Sequence, residues 1–320
     1  MAVRELAREL VIPERRERSP WADAFQQLLR NRMAVASGIF IIFIVLTAVL
    51  ANIIAPYSFD ETHLKDNYAL PGDKYLLGAD ALGRDVLSRT IYGARVSLSV
   101  AVVAATISLI VGIVYGLVSG YFGGRIDEIM MRIVDFVYGV PILIFVILMQ
   151  VYFKALSRRG GSAGLVGLLI SADRALGGLF FVFIAMGLLN WIGMARITRG
   201  QVLPYKEKEF IIAAHSVGVG NLGIIFRHLL PNVLGPCIVQ ETLAIPGYIF
   251  LEAFLSYIGL GVNPPTPSWG IMIQEGFQAL RSNPHVIFTP SVALTLTVLA
   301  FNFLGDGLRD AFDPMMRGTS

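Results

Sequence analysis

Cysteine is nearly missing from this chain: Cys237 is the only one, and it lies inside an apolar run. That excludes a disulfide framework and a thiolate metal site. Histidine is scarce as well, and His63, His215, His228 and His285 are scattered without metal-like spacing. Charge is thin, at 15% of residues, against roughly 25% in soluble domains. No G-x-x-x-x-G-K-[ST] phosphate loop and no H-E-x-x-H occurs, so nucleotide binding by that loop and zinc-peptidase chemistry are excluded. The apolar stretches also lack a nucleophile–base pair, which argues against an intramembrane enzyme. If the chain helps to move something uphill, the energy comes from a partner or an ion gradient.

What fills the chain instead is apolar sequence, 55% of 320 residues, with mean hydropathy +0.66. A hydrocarbon core about 30 Å thick takes roughly 20 apolar residues per helical span. Met33 to Phe59, Val96 to Gly124, Ala175 to Ala195 and Val286 to Gly305 carry no charge; Ile133 to Phe153 holds only Asp135; Val233 to Leu260 holds Glu241 and Glu252. These runs predict an all-α integral membrane protein of six spans. Asp135, at the start of its span, is expected at the interface.

The net charge of +3 comes without any nucleic-acid-binding pattern, so its distribution is read as membrane orientation. With the N-terminus inside, Lys and Arg number sixteen on the inner segments and ten on the outer ones. Both termini are therefore expected in the cytoplasm. The charged residues ahead of the first span argue against a cleaved signal peptide. The expected division is a cytoplasmic amphipathic segment 1–32, a first span 33–59, an outer loop with a short helix 60–95, a five-helix core 96–308 and a cytoplasmic tail 309–320.

Within 1–32, Ser19 suits an N-cap and Pro20 the first helical position. Trp21, Phe25, Leu28 and Leu29 then share a face, as in a helix lying at the membrane surface; a plain charged tail is the alternative. In the outer loop, Asp80, Arg84, Asp85 and Arg89 balance one another and point to an ordered loop rather than to chemistry. Gly112, Gly116 and Gly120, four residues apart, form a groove for close helix packing. Pro141 and the Pro246-Gly247 pair predict kinks.

Two features could carry function. Ionisable residues at membrane depth are candidates by default. Glu241 and Glu252 are eleven residues apart, so an unbroken helix projects both from one face, about 16 Å apart. They line a polar pathway or make hydrogen bonds to neighbouring helices; the sequence leaves both open. The second feature is "EFIIAAHSVGVGNLGIIFRHLLPN", within an inner loop spanning 196–232. Phe210 to Val217 can form two helical turns, Gly218 can end them in a left-handed conformation, Asn221 can cap a second short helix, and Pro231 can stop it. Such a protruding apolar element needs something to dock into. It is a connector to a cytoplasmic partner or an amphipathic pair lying on the membrane.

That stretch resembles the cytoplasmic signature of permease subunits of ATP-binding-cassette importers: E-A-A, three residues, G, nine residues, I-x-L-P. Ala213, Ala214, Gly218, Leu230 and Pro231 fit its spacing, with Ile212 in place of the usual glutamate and His228 in place of isoleucine. "LLGADALGRDVLSRTIYGARVSL", "GYFGGRIDEIMMRIVD", "EAFLSYIGLGVNPPTPSWG" and "LGDGLRDAFDP" resemble the dipeptide/oligopeptide/nickel branch, as its C-type member. Ala79 stands where threonine is common, Glu241 where a small residue is commoner, and the basic 154–174 loop is longer than usual. The resemblance implies the type I importer (MetI-like) permease fold in a bacterial or archaeal cytoplasmic membrane.

It also implies no cofactor on this chain, with ATP and Mg on two nucleotide-binding subunits. A second, homologous permease and an extracytoplasmic binding protein complete the implied assembly. Ala213, Ala214, Gly218, Asn221, Leu230 and Pro231 become the coupling residues, and Glu241 and Glu252 candidates for the pathway lining. Peptide is the implied cargo, with nickel or oligosaccharide as alternatives. A self-sufficient ion-coupled transporter using the two glutamates is the rival class, but it predicts inverted repeats that the sequence does not show.

Overall fold

A computed structural model describes residues 20–159 and 164–312. Ser19, the expected N-cap, lies outside the described residues, as do 160–163 and the tail beyond Phe312. Helix α1 (Pro20–Arg30) opens on Pro20, whose missing N–H costs nothing in a first turn. Asn31 then breaks the chain and caps α2 (Arg32–Val49), its side chain accepting from the Met33 and Ala34 amides at 3.1 and 3.2 Å. A further helical turn, Ala51–Ile54, ends ahead of Pro56, so the first span is shorter than the expected Met33 to Phe59. On α2 the large side chains Ile39, Ile42, Phe43, Leu46 and Val49 are exposed, an arrangement suited to hydrocarbon rather than water.

The centre of the bundle is α3 (Val86–Phe122), 37 residues long and capped by Asp85, which accepts from the Ser88 amide at 2.7 Å. It starts ten residues before the expected span, because this cap turns part of the outer loop into helix. The charge-poor third region is not one helix. It forms α4 (Gly124–Tyr138) and α5 (Ile142–Arg159), bent by 72° across the Gly139–Pro141 break. Proline disfavours helix in the residue before it, so the expected kink becomes a corner. By length and composition, five helices among the described residues can cross a membrane, or six if this bent pair counts as one.

Much of the expected basic loop 154–174 is helical, in the end of α5 and in α6 (Leu165–Ala175). Then come α7 (Phe180–Lys206), α8 (Glu209–Ser216) and α9 (Asn221–Tyr257), followed by α10 (Trp269–Gln278) and α11 (His285–Phe312). α7 runs eleven residues past the expected end at Ala195, so only Glu207 to Gly220 truly leaves the bundle. α9 stays helical through Pro236 and Pro246.

The glycine groove is real. A Cβ on Gly112 would lie 2.5 Å from Met194 Cβ, and one on Gly116 2.5 Å from the Ala195 carbonyl oxygen. Main chains of α3 and α7 can approach this closely only because nothing projects from those positions. Around α3, residues Val100, Ala101, Ala104, Val182, Met186, Ile249 and Val298 form one buried core. A second core, with Leu117, Val202, Ile211, Ile224, Ile225 and Leu229, lies at the α8 end.

Candidate functional site

The α8 end is built as a foot. Lys208 enters in an extended conformation, α8 makes two turns, and Gly218 ends it at φ +82°. The Val219 amide donates to the Ala214 carbonyl at 3.0 Å and the Gly218 amide to His215 at 3.0 Å. This Schellman closure requires a left-handed residue, where glycine carries no Cβ penalty. Nothing lies within 4 Å of an added Cβ at Gly218, so conformation rather than space selects glycine there.

Beyond the turn the expectation needs correcting. Asn221 does not cap; Gly220 holds that position, and Asn221 is the first helical residue. Nor does Pro231 stop a short second helix. Ile224–Leu229 form a π-helical turn, with the Leu230 amide donating to Ile225, and the helix continues to Tyr257. The wider turn moves the preceding carbonyls away from the proline ring, which lacks the amide an α-helix would use.

The foot has two faces. Ile211 (1% exposed) and Ala214 (7%) point inward and pack with Ile224, Ile225 and Leu229, while Leu230 packs at the edge of this core. Phe210, Ile212, Ala213, Val217 and Leu222 are exposed, together with Gly218, Asn221 and Pro231. The six expected coupling residues therefore divide. Ala213 and Gly218 are on the outer surface, whereas Ala214 belongs to the packing beneath and is not available to a partner.

Sequence reasoning missed what pins the foot. Tyr121, near the end of α3, donates to Asn221 Oδ1 at 2.8 Å, stacks parallel to His215 with ring centroids 6.2 Å apart, and has its hydroxyl 3.3 Å from His215 Nε2. Above it, Arg199 donates twice to Asp127, at 2.5 and 2.6 Å, and Ser119 donates to the same carboxylate. Lys206 Nζ donates to the Gly120 carbonyl at 3.2 Å. The lower ends of α3, α4 and α7 are thus tied where the foot begins. Asp135 accepts from Arg196 at 2.6 Å, with both side chains partly exposed.

Inside the bundle, the two glutamates meet a matching pair. Ser97 and Ser108 on α3 are also eleven residues apart, and α3 and α9 run antiparallel, which makes two rungs. Glu252 accepts from Ser97 at 2.7 Å and from Ser256 at 2.6 Å, and is sealed at 1% exposure. Glu241 accepts from Tyr248 at 2.8 Å and lies 3.1 Å from Ser108 Oγ. The second rung opens on a cavity of about 350 Å³, whose lining includes Ser108, Asn190, Gly193, Glu241, Gly247 and Tyr248. Of the two pathway candidates, Glu241 faces space and Glu252 faces protein. The signal for both was the shared spacing of serines and glutamates.

At the opposite end, Asp80 accepts from Arg84 Nε at 2.7 Å and from Arg89, and Glu275 of α10 accepts from Arg89 Nη1 at 2.6 Å and from Arg84 at 3.2 Å. Asp80, Arg84 and Arg89 are all buried. Lys74 and Tyr75 both donate to Asp66 at the loop's edge, and the Lys74 bond is the main cause of a lowered carboxyl pKa there.

A bundle whose helices are long and apolar enough to cross a membrane, with a two-faced foot at one end, fits the architecture of a membrane transport component. Residues 112–318 match the family described as binding-protein-dependent transport system inner membrane component, and residues 19–71 match the N-terminal transmembrane domain of oligopeptide transport permease C. The chain belongs to the first of these families. It is 40% identical over 299 residues to the oligopeptide transport system permease protein OppC of Bacillus subtilis strain 168, covering 93% of this chain and 91% of that one. It is 41% identical over 296 residues to the dipeptide transport system permease protein DppC of the same organism, covering 92% and 86%. With the glutathione transport system permease protein GsiD of Escherichia coli O6:K15:H31 it shares 36% identity over 317 residues, covering 98% and 96%. The family assignment displaces the ion-coupled reading of the two glutamates.

Proposed function

We propose that this chain forms one half of the translocation pathway of an ATP-driven importer for di- and oligopeptides. In this reading a nucleotide-hydrolysing partner moves it through the foot. The observation that carries the proposal is the two-faced α8: its inner residues, Ile211 and Ala214, are packed against the bundle, while its outer residues, Phe210, Ile212, Ala213 and Val217, are apolar and exposed. A held inner face transmits force and an apolar outer face calls for a cover.

Ala213 and Gly218 allow a groove on the partner to approach closely, and Ile212 replaces a charged contact by an apolar one. The sequence offers no phosphate loop, so hydrolysis of Mg-ATP falls to two partner subunits. A homologous second permease completes the pathway, and an extracytoplasmic binding protein delivers cargo. The basic count favours the foot and both termini on the cytoplasmic side. Peptide cargo is supported by the relatives, whose names refer to oligopeptide, dipeptide and glutathione transport.

The test is reconstitution of the whole transporter with Gly218→Val in this chain. A β-branched residue at φ +82° distorts the Schellman turn. ATP hydrolysis should persist while peptide uptake falls at least tenfold. Normal coupled uptake by this variant contradicts the coupling role, and a co-purifying binding protein loaded with nickel or oligosaccharide contradicts the cargo.

A further inference from the structure

The cavity beside Glu241 is chemically one-sided. Its lining contains one charged residue, Glu241, and no Lys, Arg or His. A carboxylate has about four acceptor sites. Two protein hydroxyls face this one, from Tyr248 and Ser108. The Ser108 hydroxyl has a single hydrogen, and the Asn190 carbonyl competes for it at 3.2 Å. The carboxylate is therefore held in position but left short of donors and without a countercharge, on the wall of a space large enough for an amino-acid side chain.

Such a group in a low-dielectric bundle is costly unless something positive reaches it. Glu252 provides the contrast within the same helix: equally hydroxyl-bonded, but 1% exposed and not part of this cavity's lining. The floor of the cavity is also unobstructed, since an added Cβ at Gly193 or Gly247 meets nothing within 4 Å.

We infer that Glu241, positioned by Ser108 and Tyr248, is an acidic subsite on the transport path for a cationic nitrogen of the passing peptide, either its terminal ammonium or a Lys or Arg side chain. The inference rests on the peptide-importer reading above. An ammonium supplies the missing charge and up to three donors, and the Glu241 carboxylate and the Ser108 hydroxyl oxygen accept them. Because the group is bound weakly and in passing, the site favours entry of cationic cargo without trapping it.

The experiment uses the complete transporter with its binding protein in proteoliposomes. Uptake is compared for two tripeptides that differ only by Lys against Gln at one position. Glu241→Gln should lower Lys-peptide uptake about tenfold more than Gln-peptide uptake if side chains use the subsite. An equal fall in both, accompanied by loss of charge preference in the labelling arm, assigns it to the terminal ammonium.

The labelling arm places Gly247→Cys in a Cys237→Ser background and compares cationic with anionic methanethiosulfonate reagents. With Glu241 present the cationic reagent should react about tenfold faster, and Glu241→Gln should bring the two rates close together. Glu252→Gln should leave that ratio unchanged. If Glu241→Gln does not assemble, protection decides: in the chain that retains Glu241, Lys peptide should slow the cationic reagent more than Gln peptide if side chains use the subsite, and both should slow it equally if the terminal ammonium does. Unchanged uptake of both peptides, or a reagent preference that survives Glu241→Gln, or no protection by either peptide, overturns the inference. Should the transporter carry no peptide at all, the functional reading fails, while the reagent ratio still reports whether the cavity attracts cations.

Discussion

The outer loop and the foot helix α8 are fastened to the bundle by opposite means. At the loop end, Asp80, Arg84, Arg89 and Glu275 lock a 30-residue excursion onto α10 through directed, charge-assisted bonds, three of the four groups being buried. At the foot end, Arg199 and Asp127 tie α7 to α4 above the foot, while α8 itself rests on aliphatic side chains and meets α3 through Tyr121, whose hydroxyl lies 3.3 Å from His215 Nε2. Charge-assisted bonds hold a buried contact in few geometries, whereas close-packed aliphatic contacts hold α8 as a unit and pass a displacement on. On the proposed function, the loop end is the one that stays and the foot the one that moves.

The largest effect is expected where the fixed end is cut. Asp80→Ala leaves two buried guanidiniums to share the one carboxylate of Glu275, a loss of about 3–5 kcal/mol for a buried network broken from one side. The purified complex should melt well below wild type or fail to assemble; an unchanged Tm would show that the loop end is not the anchor. Next comes the wall between the ends. Gly116→Val drives a branched side chain into the Ala195 carbonyl and should cost about 1–3 kcal/mol, read as a lower Tm and weakened α3–α7 packing.

Tyr121→Phe sharpens the comparison most. It removes one hydrogen bond, worth about 0.5–1.5 kcal/mol, so Tm should hardly change. The ratio of peptide imported to ATP hydrolysed should nevertheless fall several-fold, because the foot loses its tie to α3. A drop in Tm with coupling intact would reverse the assignment of the two ends. Smallest is Arg132→Ala, which breaks an exposed pair with Glu128 and should alter stability by less than about 0.5 kcal/mol.

Local rules made the foot turn legible: a left-handed position after two amphipathic turns needs glycine, and Gly218 is there at φ +82°. The continuation past Pro231 was not legible, since a π-helical turn leaves no composition signal and a proline ordinarily reads as a stop. The third span shows the same limit, with Pro141 visible but a 72° corner in place of a kink. Asp80, Arg84 and Arg89 stood out as balanced charges, yet their shared partner Glu275 lies 186 residues beyond Arg89. Only tertiary structure could supply it. Glu241 and Glu252 looked equivalent by period; burial separated them, because a cavity depends on which neighbours are absent.

The most direct test of a movable foot is contact with the ATP-hydrolysing subunit. With Ala213→Cys in a Cys237→Ser background and single cysteines along the partner's surface, oxidation during turnover should give one cross-linked pair, stop uptake and be reversed by reduction. If Ala213→Cys reacts only with lipid-borne thiol reagents and never with that subunit, the foot is not where motion enters this chain.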